Sequence, residues 1–181
     1  MRILVISDIS DLHWYLGEGK ADLLISCGDV PDQVILEAAQ AYRCNKILGV
    51  KGNHDLNSPF PSSIVDLHLK VVHVGSLSFA GFNGAWRYKQ RGHFLYEQDE
   101  VAELMMDLPP ADIFVSHNSP RYIHDREDGI HFGFNAFTDY LSRSQTKLML
   151  HGHQHQELNS MLNSTWIAGV YGARIFNLPE P

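Results

Sequence analysis

Five apolar runs punctuate the chain, and each stops at a polar residue able to do chemistry. Arg2 to Ser7 (RILVIS) is continuous and β-branched, the pattern of a strand buried on both faces, and it ends at Asp8. Ala21 to Cys27 (ADLLISC) ends at Gly28-Asp29, and Lys46 to Lys51 (KILGVK) ends at Gly52-Asn53-His54-Asp55. Ala111 to Ser116 (ADIFVS) ends at His117, and Lys147 to His151 (KLMLH) ends at Gly152-His153-Gln154-His155. Helical spacing separates several of these runs. Pro31 to Arg43 starts with Pro at a first-turn position and carries apolar residues at Val34, Ile35, Ala38, Ala39 and Tyr42. Gln98 to Asp107 is a short amphipathic segment stopped by Pro109-Pro110, and Phe134 to Ser142 reads as a third helix.

Between these lie two stretches of a different kind. Val71 to Phe82 alternates around Gly75-Ser76 and predicts a hairpin, and Ser164 to Leu178 predicts one or two closing strands with Gly169 and Gly172 at turns. Strands alternating with helices mean an α/β layered domain, and the hairpin and tail make its sheets mixed. No repeat or linker interrupts the chain, so one domain over residues 1–181 is expected.

Composition narrows the class. Hydrophobic residues make up 44% and charged residues 19%, as in a globular protein able to bury a core. The net charge of -7 argues against an extended nucleic-acid surface, which needs Lys and Arg in excess, but leaves room for a single phosphate held by dications. Cys27 and Cys44 form no metal-type cluster and are expected as two buried free thiols. No signal-like segment follows Met1 and no apolar run approaches the roughly 18 residues of a membrane span. A cytoplasmic location is expected.

In an α/β sheet the carboxyl ends of the strands share one crevice. Asp8, Asp29, Asn53, His54, His117, His153 and His155 would then meet there. Singly, each has a plainer reading: Asp8 or Asp29 as a helix cap, His117 as a satisfied loop histidine. Residues i and i+2 point apart on a helix, so His153 and His155 can act together only from a tight turn. Jointly, carboxylate with imidazole and no thiolate suits Zn, Mn or Fe, and the donors are too many for one tetrahedral ion and about right for two.

The order Asp8, Gly28-Asp29, Gly52-Asn53-His54-Asp55, His117, Gly152-His153-x-His155 resembles the calcineurin-like metallophosphoesterases over nearly the whole chain. That resemblance implies two mixed β-sheets packed as a sandwich and flanked by helices, with two divalent ions at one edge (Mn first, with Fe, Zn, Ni or Mg as alternatives). It implies that Asp29 bridges the ions, that Asp8 and His155 bind the first, and that Asn53, His117 and His153 bind the second. His54 would bind no metal and would stabilise phosphoryl oxygens or protonate the leaving group, work that suits an imidazole. The implied reaction is hydrolysis of a small phosphorylated substrate by in-line attack of a hydroxide held between the ions, with a phosphodiester preferred and a phosphomonoester as the alternative.

One departure matters. The family's first block is Asp-x-His, and here the third position is Ser10. A hydroxyl replaces imidazole poorly, so the first ion would be weaker, or the chain would be a scaffold that kept the fold and lost the chemistry. His13, in Asp11-Leu12-His13, could reach the site from the loop instead. Of the remaining polar residues, Asp55 would orient a histidine or simply make a turn. His124, Asp125 and His131 would line a substrate pocket or a solvated loop. Arg87, Lys89 and Arg91, with Trp86 and Tyr88, form a basic cluster that reads as a charged turn first, with gripping a phosphate or stacking a base as the alternative. His151 is expected to be structural, and Trp14, Tyr15 and Trp166 to be core or rim aromatics.

Overall fold

The computed structural model describes residues 1–11 and 19–179. His13, Trp14 and Tyr15 lie outside the described residues. Thirteen strands and three helices are described: β1 (Arg2–Ser7), β2 (Leu23–Ser26), α1 (Asp32–Ala41), β3 (Lys46–Gly49), β4 (Val65–Asp66), β5 (Val71–Val74), β6 (Leu77–Phe82), β7 (Ala85–Trp86), β8 (Leu95–Tyr96), α2 (Gln98–Met105), β9 (Ile113–Ser116), α3 (Asn135–Ser144), β10 (Leu148–His151), β11 (Leu158–Leu162), β12 (Thr165–Gly169) and β13 (Gly172–Asn177).

Two mixed sheets pack face to face. The first runs β13-β1-β2-β3-β4, the second β11-β12-β10-β9-β6-β5, and β7 and β8 form a small parallel pair beside them. The period of two along each strand divides the apolar residues between layers. Ile3, Val5, Leu23, Ile25 and Leu48 of the first sheet meet Phe79, Ile113, Val115, Leu148 and Leu150 of the second in the central core. Leu4, Ile6, Leu24 and Ile47 face outward onto Val34, Ile35, Ala38 and Ala39 of α1. Phe82, Phe114, Met149 and Ile167 face the other way, onto Val101 and Met105 of α2 and Phe137, Tyr140 and Leu141 of α3. The result is the four-layer α/β/β/α arrangement expected, and it explains why the runs read as continuous: both faces of these strands are covered.

The elements start and stop for local reasons. Pro31 occupies the position before α1, and a reciprocal capping box between Glu97 and Glu100 opens α2. The β5–β6 hairpin turns at Gly75, whose φ is +61°. β11 was not expected: LNSML alternates between half-buried and exposed at the rim of the second sheet, too polar to register as a strand. β12 and β13 are adjacent in sequence but enter different sheets, β12 parallel to β10 and β13 antiparallel to β1. Cys27 is buried as expected, but Cys44 is only half-buried; both are free thiols. Among the described residues no helix is long and apolar enough to cross a membrane.

Within the first sheet β1, β2 and β3 are parallel, and within the second β6, β9 and β10 are parallel. Their carboxyl ends meet at one edge of the sandwich. Asn83, just past β6, clamps the two sheets there: its Oδ1 accepts the Lys51 N–H at 2.8 Å, and the Gly84 N–H donates to the Lys51 carbonyl at 2.7 Å.

Candidate metal centre

Asp8 leaves β1 with φ +58° and Asp29 follows β2 with φ +53°, so both strands break sharply at their carboxylates. Such left-handed conformations are costly in non-Gly residues and persist only where the surroundings hold them. Asp8 Oδ2 accepts from Ser7 Oγ at 2.7 Å and from the His153 N–H at 2.9 Å. Asp29 Oδ1 accepts the His54 N–H at 2.8 Å. Among the described residues Asp55 binds no histidine: its Oδ2 accepts the backbone N–H groups of Gly52 (2.7 Å) and Asp29 (2.9 Å), tying the two turns together. Burial pushes the Asp55 carboxyl up to about 6, partly offset by these bonds.

The glycines of these turns are set by space. A Cβ on Gly52 would overlap Asp29 Oδ1, and one on Gly152 would overlap Ser7 Oγ and stand 2.6 Å from Asp8 Oδ2. The backbone has to come this close for loops from both sheets to share one site.

His117 is fully buried. Its Nδ1 lies 2.9 Å from the Cys27 carbonyl, which takes a proton there and turns Nε2 toward Asn53 Oδ1 at 3.1 Å and Asp29 Oδ2 at 3.3 Å. Burial pulls the imidazole down, but Asp29 and Asp8 outweigh it and push its pKa up to about 10. In turn His117, with the His54 N–H, outweighs burial at Asp29 and holds that carboxyl well below the usual carboxylate range. Burial also opposes ionisation of Asp8, yet His155, His117 and Ser7 keep its carboxyl below the ordinary value. Asn53 is fixed as well, its Nδ2 donating to Tyr88 Oη at 3.2 Å, so the carbonyl faces His117.

His153 and His155 sit in a turn with φ +64° and +51°, which lets residues two apart serve one crevice. His153 Nε2 is 3.4 Å from the Ile130 carbonyl. Burial, reinforced by His117 and His131, lowers its pKa to about 3, so the ring is neutral and Nδ1 carries the free lone pair. His155 stands at the rim with Nε2 3.3 Å from Asp8 Oδ1. The Asp8 carboxylate beside it is the main reason its pKa is raised. His54 is exposed at the mouth.

These residues fit a cation. One ligand atom each from Asp8, Asp29 and His117 lie within 4.8 Å of one another. Two ligands about 2.1 Å from one ion at right angles are about 3.0 Å apart, close to the 3.1–3.3 Å found for the Asn53–His117, His117–Asp29 and His155–Asp8 pairs. Asp8 Oδ1 is buried and its one polar neighbour among the described residues is His155 Nε2, 3.3 Å away without hydrogen-bond alignment, an under-satisfied oxygen that a cation between the two would satisfy.

The remaining polar residues divide clearly. Arg87 pairs with Glu97 and Glu100, a structural role. Asp125 pairs with Arg121 and accepts the Gly133 N–H, which orders the loop after His117. His124 bridges His151 Nε2 (2.8 Å) and Ser160 Oγ (2.9 Å), and buried His151 also bonds the Gly152 carbonyl (3.0 Å), so this chain braces the ligand turn from behind. Trp166 is a rim aromatic, its Nε1 donating to Asn159 Oδ1. Sequence reading missed Ser7 and Tyr88. A serine closing an otherwise apolar run was the available signal for Ser7; Tyr88 stood out only as a member of the basic cluster, and nothing in the sequence tied it to Asn53. Tyr88→Phe frees the Asn53 amide and is expected to weaken metal affinity about 10-fold, as outer hydrogen-bond partners of ligands do; calorimetric titration with Mn checks it.

The wider comparisons bear on fold and family. The calcineurin-like phosphoesterase profile matches residues 1–157. TT1561 of Thermus thermophilus superposes with a TM-score of 0.61 at 13% identity, over 94% of this chain and 89% of that one. Phosphopantetheinyl hydrolase (PptH) from Mycobacterium tuberculosis gives 0.56 at 14%, over 99% and 97%. Vps29 of Entamoeba histolytica, in complex with zinc, gives 0.51 at 11%, over 95% and 74%. No curated protein sequence matches the chain. At these identities the superpositions establish the fold, while the profile establishes the family: the chain belongs to the calcineurin-like phosphoesterases.

Proposed function

We propose that the protein is a divalent-metal-dependent phosphodiesterase. The observation that supports this best is the convergence of Asp8, Asp29 and His117, with a buried Asp8 oxygen that accepts no well-aligned hydrogen bond among the described residues. In this reading Asp29 is shared by two ions, with Asp8 and His155 completing one site and Asn53, His117 and His153 the other. Two Mn-class ions held by these groups would supply the positive charge that in-line phosphoryl transfer needs. The chain's own part is to place them. Cys27 and Tyr88 aim His117 and Asn53, Ser7 and the His153 N–H aim Asp8, and the His54 N–H bond to Asp29 anchors a side chain that can protonate the departing oxygen.

The diester preference rests on the mouth. A cavity of 380 Å³ beside His54 is lined by Pro31, Asp32, Gln33, Lys51, Asp55 and Leu56, room for one ester substituent while another leaves. Lys51, its cation, is already paired with Asp32 at 2.9 Å and adds little for the second negative charge of a monoester.

Hydrolysis of bis-p-nitrophenyl phosphate and p-nitrophenyl phosphate with and without Mn tests the reading. Faster diester turnover is expected; faster monoester turnover would reassign it as a phosphomonoesterase. Ser10 favours a second reading, a scaffold of the same fold, and absence of both Mn binding and turnover would establish that one. His54→Gln is expected to keep the metal and lower kcat about 100-fold. The loss should be larger for an alkoxide leaving group, which needs a proton, than for p-nitrophenolate. Loss of metal in this variant would contradict the role given to His54.

A further inference from the structure

His131 is an imidazole of this region that the family's blocks do not contain. It stands in the loop between β9 and α3, distant from the ligand turn in sequence but against it in space. Asp128 holds it from two directions. Asp128 Oδ1 accepts the backbone N–H groups of Ile130 (3.0 Å) and His131 (2.8 Å), and Oδ2 accepts from His131 Nδ1 at 2.7 Å. Arg126 Nε, 3.3 Å from the same carboxylate, steadies it in turn. With Nδ1 donating, the lone pair of His131 is on Nε2, and among the described residues no hydrogen-bond partner takes it. A histidine with one nitrogen on a carboxylate and the other open is the arrangement metal ligands use.

The ring lies 4.9 Å from that of His153 and 6.3 Å from that of His155, centroid to centroid. An imidazole bound at about 2.1 Å has its centroid about 3.2 Å from the ion. By the same geometry two such rings are about 4.6 Å apart at right angles and about 6.4 Å apart when opposed. Both separations fall inside this window, as does the 5.0 Å between His117 and His153.

We propose that His131 is a metal ligand of this centre, supplying from the β9–α3 loop the imidazole that Ser10 does not. The inference rests on the metal-centre reading above and deepens it. The centre keeps its count of imidazoles by drawing one from a different loop, with Asp128 as the residue that orients it.

Mn titration by calorimetry, with metal content by mass spectrometry, tests this on the full chain and on His131→Ala, His131→Gln, Asp128→Asn and His13→Ala. The wild type is expected to hold two ions. Both His131 variants should hold one at Mn concentrations that saturate the wild type, with the second binding at least about 10-fold weaker, and Asp128→Asn should move the same way by less. In Co-substituted protein, losing an imidazole should also shift the visible d–d bands in the His131 variants. Circular dichroism confirms that the variants compared are folded. Two ions bound by His131→Gln with affinity within about twofold of wild type would overturn the proposal while leaving the metal centre standing. So would loss of the second ion in His13→Ala alone, which would make His13 the substitute. A wild type that binds no Mn would overturn both.

Discussion

Asp29→Asn is expected to abolish tight metal binding and, with it, turnover. The substitution keeps the size of the side chain and an oxygen for the His54 N–H, now 2.8 Å from Asp29 Oδ1. What it removes is the charge at the point where the Asp8 and His117 groups meet. Loss of a residue that merely orients a ligand costs about 10–100-fold in affinity, so loss of a shared ligand should exceed about 100-fold. Thermal melts show this without a substrate. At Mn a hundredfold above Kd, binding stabilises the wild type by about 2.7 kcal/mol, roughly 5–10 °C for a chain of this length. The variant should show no such rise. Its metal-free melting temperature should change much less, because removing Asp29 costs His117 a partner but also relieves repulsion at Asp8 and Asp55. A Mn-dependent rise of wild-type size in Asp29→Asn would contradict its place in the centre.

Gly152→Ala is the second large effect, and it tests packing instead of charge. The added methyl overlaps Ser7 Oγ and crowds Asp8 Oδ2, the two atoms whose hydrogen bond fixes the Asp8 carboxylate. Neither can move cheaply. Ser7 is buried at the end of β1, and the same Asp8 oxygen receives the His153 N–H. Overpacking of this kind costs about 1–3 kcal/mol, several degrees in Tm, and here it should also displace Asp8 and lose the metal on that side. Gly172→Ala is the control. Gly172 has φ +80° but open space around its Cα, so its backbone strain lowers stability with no effect on Mn binding. Equal Mn affinity in Gly152→Ala and wild type would show that the turn does not position Asp8.

What the sequence made legible follows from which features are local. A continuous apolar run ending at Asp8, Asp29 or His117 reports a strand buried on both faces and its last residue, and both are properties of adjacent residues. The layer order followed because each strand supplies two cores, as Leu4 and Val5 show by facing α1 and the second sheet respectively. Pairing across sheets is not local. That β12 and β13 part into different sheets, or that LNSML of β11 closes an edge, depends on partners far away in sequence. The site shows the same division. The ligand-type residues at strand ends were visible as one set; Tyr88 and His131 stood out only as members of a basic cluster and a polar loop, not as partners of that set. Tyr88 meets Asn53 across 35 positions, and His131 meets the ligand turn only through the path of its loop. Of the two roles open to Asp55, the turn reading fits and the histidine-orienting one does not, since what it holds among the described residues is the backbone N–H of Gly52 and of Asp29.

The most direct test is an anomalous difference map from Mn-loaded crystals, measured with the His131→Gln variant alongside. Two peaks within bonding distance of the Asp8, Asp29 and His117 side chains, with Asp29 common to both and His131 touching one, are the predicted result. No peak at this edge of the sandwich, or a single ion that leaves Asp8 or His117 without a bond, would contradict a two-ion centre built from the strand ends.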